Sequence, residues 1–254
     1  MTALALIVCL PWTLRNCVQM DRCVLVSANM GWNLLIGSAA GATGSFVPLE
    51  QLGVPQECRR IYGEADKDRC FGQAGVRNVR EHPGRYLGLV PAKLRTTFDW
   101  SGAPGYYLHT SNAAAFSSER KLALGVAEAI VQRLIVLACV IGLARSAGPR
   151  RRLRFWIGAL AAGLLFFKTA WIAHLLLVVQ AAALGRGLFR RPDAALATSA
   201  VAATALTHAA FFGAGRYGLV CVPLLVALSA AVLGTPGRLR SPEPEGARKG
   251  EAGF

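Results

Sequence analysis

Few residues in this sequence combine type and spacing in a way that chemistry can use. Arg216-Tyr217 stands at the junction of two apolar runs, where a guanidinium fork can grip a phosphate bidentately. An interfacial Arg-Tyr pair that only anchors a helix is the competing reading. Glu128 and Gln132 share a helix face at i,i+4 spacing, and Lys168 interrupts a second apolar run. Ionisable groups in such runs are costly and mark candidate functional positions, although snorkelling toward the interface accounts for Glu128 equally well. The four histidines, His82, His109, His174 and His208, show no zinc-ligand spacing and read as structural. The sequence has no phosphate-binding Gly-rich loop, dinucleotide fingerprint, CxxC pair or HExxH, so no cofactor is evident. Cys9, Cys139 and Cys221 lie in apolar runs as small hydrophobes. Cys58 and Cys70 share one segment and can pair in an oxidising compartment, which spacing alone does not establish.

The elements that must position these residues are apolar. The chain has 254 residues, 54% hydrophobic and 17% charged, with a formal net charge of +14. That apolar content excludes disorder for most of the chain, and seven cysteines are too sparse for a disulfide scaffold. The basic balance raises nucleic-acid binding, but the long apolar runs argue against it. A membrane span needs about 20 apolar residues, and residues 122–144, 155–185, 194–213 and 217–234 qualify. Residues 2–10 are apolar over half that length. The expected fold is mainly α: a polytopic helical membrane protein with about four full spans, an N-terminal half-span and a mixed, loop-rich outer segment.

Charge sets the expected orientation. Residues 145–154 carry five Arg and no acid, which the positive-inside rule places in the cytoplasm. Residues 12–121 then lie on the extracytoplasmic side of the plasma (inner) membrane. Their 13 Lys/Arg against 9 Asp/Glu do not oppose this, because long loops translocate largely regardless of charge. Residues 155–185 receive conflicting signals. Length favours one tilted helix of roughly 46 Å, while the arginines of 186–193 favour a hairpin; one long helix is expected, with Lys168 central and facing other helices or a wet cavity. Within the outer segment, Val24-Leu25-Val26 reads as a short strand. Val79, Tyr86, Leu87, Val90 and Leu94 follow a helical period with Arg80, Arg85, Lys93 and Arg95 between them. The division is therefore 1–11, the end of a truncated transmembrane helix; 12–121, the extracytoplasmic segment; 122–234, a helical bundle; and 235–254, a disordered tail.

Four stretches carry a family resemblance. Pro11-Trp12-Thr13-Leu14-Arg15-Asn16 is followed by Ser27-Ala28-Asn29-Met30-Gly31-Trp32-Asn33-Leu34-Leu35-Ile36-Gly37. Later come Arg80-Glu81-His82-Pro83 with Tyr86 and Lys93, then the segment from His208 to Pro223 containing Arg216-Tyr217. In this order they resemble the C-terminal half of bacterial polytopic glycosyltransferases of the C-type superfamily, related to the dolichyl-phosphate-mannose-protein mannosyltransferases and the lipid A aminoarabinose transferase. Ser38 stands where that family usually has Asn, and Gly218 where Arg is common. The family's acidic motif in the first outer loop has no counterpart in this sequence.

The resemblance implies a sugar donor carried on a polyprenyl phosphate in the bilayer. A carboxylate would act as general base or hold a divalent metal, and cations would stabilise the leaving phosphate. Arg15, Lys93 and Arg216, with Tyr217 beside it, are the implied phosphate ligands; Asn16, Asn29 and Asn33 are the implied partners of sugar hydroxyls. Of the outer carboxylates, Glu50, Glu57, Glu64, Asp66, Asp68, Glu81 and Asp99, none matches the family's catalytic position, and a solvated surface role suits each; the catalytic residue is unassigned. The chain is thus expected to be part of a membrane glycosyltransferase, inactive without a missing N-terminal half. The alternative is a non-catalytic membrane subunit or scaffold in envelope glycan assembly or export.

Overall fold

The regular structure of the described residues is helical, about 75%, with no strands. The computed structural model describes residues 2–99 and 102–233, so the expected tail at 235–254 lies outside the described residues. Two compact units form, Met1–Thr97 with Ala205–Ala214, and Phe98–Thr204 with Gly215 onward.

In the first unit, α1 (Thr2–Gln19) runs through Pro11 and does not end there. Asn16, near its C-terminus, is wholly buried; its amide donates to Val24 O at 3.0 Å and Val26 O at 3.1 Å. The Thr13 hydroxyl donates to Leu25 O, and a Cys17–Cys23 disulfide closes the turn. The expected strand at 24–26 is therefore a loop folded back on α1, because side chains of α1 take the carbonyls a ladder would use. Next, α2 (Met30–Ser38) packs against α4 (Glu64–Glu81), to which α3 (Gln56–Arg59) is tied by a Cys58–Cys70 disulfide. The α2 N-terminus is capped from α4: the Asp68 carboxylate accepts from Gly31 N at 3.1 Å and Trp32 N at 2.8 Å.

The single amphipathic pattern expected after residue 79 is broken. Pro83 opens α5 (Pro83–Gly88), since the residue before a proline resists helix, and α6 (Val90–Phe98) follows. Lys93, expected on the polar side, is buried. Helices make up much of residues 12–121, and their long stretch without α-helix lies between α2 and α3.

In the second unit, α7 (Ala103–Ser111) packs on α8 (Ser118–Arg145), whose first turn is capped by the Ser117 hydroxyl. Among the described residues α8 is the one helix long and apolar enough to cross a membrane, with a mean hydropathy of 2.1 over its 18-residue apolar stretch. The run expected to form one long helix is two, α9 (Arg151–Leu164) and α10 (Ala170–Ala182), packed on each other and on α8. Arg133 on α8 donates to Leu165 O at 2.9 Å, closing α9. The Asp99 carboxylate accepts from Trp171 N at 2.6 Å, opening α10. Lys168 accordingly lies exposed in the turn, not at the middle of a span. Gln180 donates to Val140 O and Arg154 O, each at 3.0 Å, and so joins α8, α9 and α10. The chain continues through α11 (Pro192–Ala210), whose last turn belongs to the first unit, and through α12 (Gly215–Gly218) to α13 (Val222–Leu233).

Candidate functional site

The sequence-expected residues fall in both units, and each unit sets its own against different partners. In the first, Arg15 is exposed on α1, 4.9 Å from the centre of the Trp12 ring and 3.3 Å from the Asn16 carbonyl oxygen. Asn16, as described, is consumed by backbone carbonyls. Asn29 is exposed at the start of α2 and makes no cap with its side chain, while Asn33 is half-buried one turn on.

Lys93 departs furthest from its expected role. Its ammonium sits 4.0 Å over the Tyr86 ring and donates to Ala209 O and Ala210 O, both at 3.3 Å. The Tyr86 hydroxyl also donates to Ala210 O, at 2.6 Å. These carbonyls end α11, where cations complement the helix dipole. Burial pushes the Lys93 ammonium down to about 8. Lys93 thus caps the end of α11. Arg85 performs the same service for α2, donating to Ser38 O at 3.1 Å.

The first unit also holds a groove of about 830 Å³ between α2 and α4. Leu34, Val76 and Phe211 line it together with Arg69, Arg77 and Arg80 of α4 and the carboxylates Asp68 and Glu81. Apolar surface beside guanidinium groups suits an anion attached to an apolar chain.

In the second unit, Arg216 and Tyr217 converge with a residue the sequence did not single out. One guanidinium nitrogen of Arg216 donates to the Tyr107 hydroxyl at 2.9 Å, and another donates to the Tyr217 hydroxyl at 3.0 Å. The guanidinium carbon also lies 4.9 Å from the Tyr217 ring centre. These hydrogen bonds, that of Tyr217 first, raise the Arg216 pKa further above its ordinary value. Arg216 and both tyrosines remain reachable by solvent. Each phenol oxygen accepts from the arginine, so one cation is held between two hydroxyls, a set that suits phosphate oxygens. Tyr107 carried one signal, the exposed Tyr106-Tyr107 pair beside Pro104, which is too common to find it by.

The carboxylates are engaged or outlying. Asp68 caps α2, Asp66 pairs with Arg22 at 2.6 Å, and Asp99 holds the start of α10. Asp99, expected at the surface, is buried, because an N-terminal helix amide reaches it. Glu50, Glu57, Glu64 and Glu81 are exposed. Among the described residues no group of three His, Cys, Asp or Glu is placed to hold a metal ion. No protein-family model, curated protein or solved structure matches the chain.

Proposed function

We propose that this chain is an integral membrane protein that binds the phosphate of a polyprenyl-phosphate sugar, as part of a glycosyltransferase acting on the outer face of the plasma membrane. The observation that carries the reading is the Arg216 guanidinium held between the Tyr107 and Tyr217 hydroxyls. A cation fixed before the ligand arrives loses little side-chain entropy on binding, and it stabilises charge that grows on a leaving phosphate. The resemblance of the stretches around Arg15, Asn33, His82 and Arg216 to C-type glycosyltransferases supplies the reaction class.

The membrane placement has its own support. Helix α8 is 28 residues long, about 42 Å at helical rise, more than the roughly 30 Å of hydrocarbon. The α9–α10 helices, at 14 and 13 residues, reach only about 20 Å each, which suits a hairpin entering from the arginine-rich side and turning back beside Arg133. Both disulfides precede α8, and the free thiols Cys9, Cys139 and Cys221 lie in apolar helices. That division suits an oxidising compartment for residues 12–121.

A general base is not part of this proposal. Asp66, Asp68 and Asp99 are committed to structural partners, an observation that favours the second reading, a non-catalytic donor-binding or scaffold subunit. Transfer requires a carboxylate beyond those three. The test is to reconstitute the full chain in liposomes and measure binding of a polyprenyl-phosphate sugar. Arg216→Ala is expected to weaken binding at least tenfold, with Arg216→Lys intermediate and Tyr107→Phe and Tyr217→Phe each milder. Unchanged affinity in Arg216→Ala overturns the phosphate assignment. Sugar transfer by the reconstituted chain alone decides for the enzyme over the scaffold.

A further inference from the structure

The end of the second unit where α8 passes into α9 meets the turn that joins α10 to α11. A Cβ placed on Gly148 would lie 3.7 Å from the Leu184 side chain, so the two turns touch. The first turn is built around Arg154, which is wholly buried. Its guanidinium donates to the carbonyls of Leu143, Ser146, Gly148 and Pro149 and to the Ser146 hydroxyl. With that arginine folded inward and Gly148 at a φ of +130°, the neighbouring arginines are left outside.

Arg150, Arg151 and Arg152 project from one turn, and Arg186, Arg190 and Arg191 from the other; all but the half-buried Arg191 are exposed. Residues 145–193 contain one acid, Asp193. The Arg22–Asp66 pair is the sole salt bridge among the described residues, so these arginines have no carboxylate partner within 4.0 Å among those residues. Large apolar side chains share this end: Phe189 is 85% exposed and Trp156 69%.

We propose that this arginine-lined end is a binding site for the phosphates of anionic phospholipids, with Phe189 and Trp156 seated among the acyl chains. Six cations without carboxylate partners among the described residues attract polyanions of any kind, as basic residues near an anionic surface do. The exposed Phe and Trp beside them select a lipid over a soluble anion, since aromatic side chains settle at the headgroup level. A headgroup with two phosphates can engage both turns at once and stabilise their contact. This site rests on the membrane reading above and is independent of the Arg216 cluster.

The experiment uses the full chain. Resistance to carbonate extraction tests the membrane reading first; release of the protein by carbonate takes both proposals down. The protein, purified in non-ionic detergent, is then titrated with cardiolipin, phosphatidylglycerol or phosphatidylcholine, reading melting temperature and the lipids retained in native mass spectrometry. Cardiolipin is expected to raise the melting temperature most, phosphatidylglycerol less and phosphatidylcholine not at all. The combined Arg150→Gln, Arg151→Gln and Arg191→Gln variant is expected to bind cardiolipin at least tenfold more weakly, and the matching lysine variant to keep most of the affinity. Should the combined variant fail to fold, the exposed single changes Arg186→Gln and Arg190→Gln replace it, each with a smaller loss. Equal shifts with phosphatidylcholine, full affinity in the glutamine variants, or the same shift with inorganic phosphate at equal phosphate concentration each overturn the proposal while leaving the membrane reading intact.

Discussion

The Lys93 ammonium lies 4.0 Å from the centre of the Tyr86 ring, and both side chains donate to the carbonyl of Ala210. Two residues that read as parts of a basic surface helix instead close the end of α11. The arrangement is a cation–π contact and a helix cap in one, and it holds two of the resemblance-bearing stretches together.

This contact has a pH signature. Burial pushes Lys93 from the usual 10.5 down to about 8, so between those values the unfolded chain holds a proton the folded chain has released. Stability rises with pH wherever the unfolded state binds more protons. The contribution of Lys93 is therefore expected to grow from pH 8 to 10.5, while Tyr86, pushed above 10.0 by burial, keeps its proton over most of that window. Denaturant unfolding of wild type and Lys93→Met at pH 7.5 and 10 should show the difference between them shift toward wild type at the higher pH. A pH-independent difference contradicts it.

Gly31 sits where α2 crosses α4. A Cβ there would come within 1.8 Å of Asp68 O and 2.6 Å of Gly72 N, and backbone atoms cannot step aside as a side chain can. Gly31→Ala is expected to cost about 1–3 kcal/mol or more as the helices separate. Thermal melting in detergent measures it, and a wild-type melting temperature would mean that the crossing is looser than described.

The disulfides are checked by alkylating the unfolded, unreduced protein. Three thiols, Cys9, Cys139 and Cys221, should react, leaving Cys17–Cys23 and Cys58–Cys70 as intact linked peptides. Replacing the second bridge with Cys58→Ser and Cys70→Ser is expected to cost roughly 2–4 kcal/mol, the range for a short closed loop. Seven reactive thiols in protein from the membrane fraction would remove the support that disulfides lend to the outer placement of residues 12–121.

Asp99 is expected to act as an N-terminal cap for α10 from a distance. Asp99→Ala removes the acceptor of Trp171 N and should destabilise the protein by about 1–2 kcal/mol, with faster amide exchange confined to the start of α10. Asp99→Asn keeps an acceptor oxygen and should lose less. Equal losses in the two variants would point to the charge and not the hydrogen bond.

Local pattern carried a good part of this architecture. The apolar run at 122–144 marked α8, since helix length and side-chain composition are read along a single segment. The 12-residue spacing of Cys58 and Cys70 made their bridge conceivable, and Arg216-Tyr217 stood out as a cation beside a phenol. Tyr107 did not, because its approach to Arg216 depends on the packing of the chain across a sequence separation of 109.

What residues 155–185 would become was beyond local pattern. An apolar run without proline looks like one helix, and its sequence contains no cap that would stop it. The stop comes from Arg133, 32 residues earlier, and the restart from Asp99, 72 residues before Trp171. The unpaired backbone groups at a helix end must find partners, and here folding delivers those partners from other segments. Lys93 shows the same limit: its type and spacing are visible in the sequence, but whether its ammonium meets a ligand or the end of a helix is decided by which backbone carbonyls fold against it.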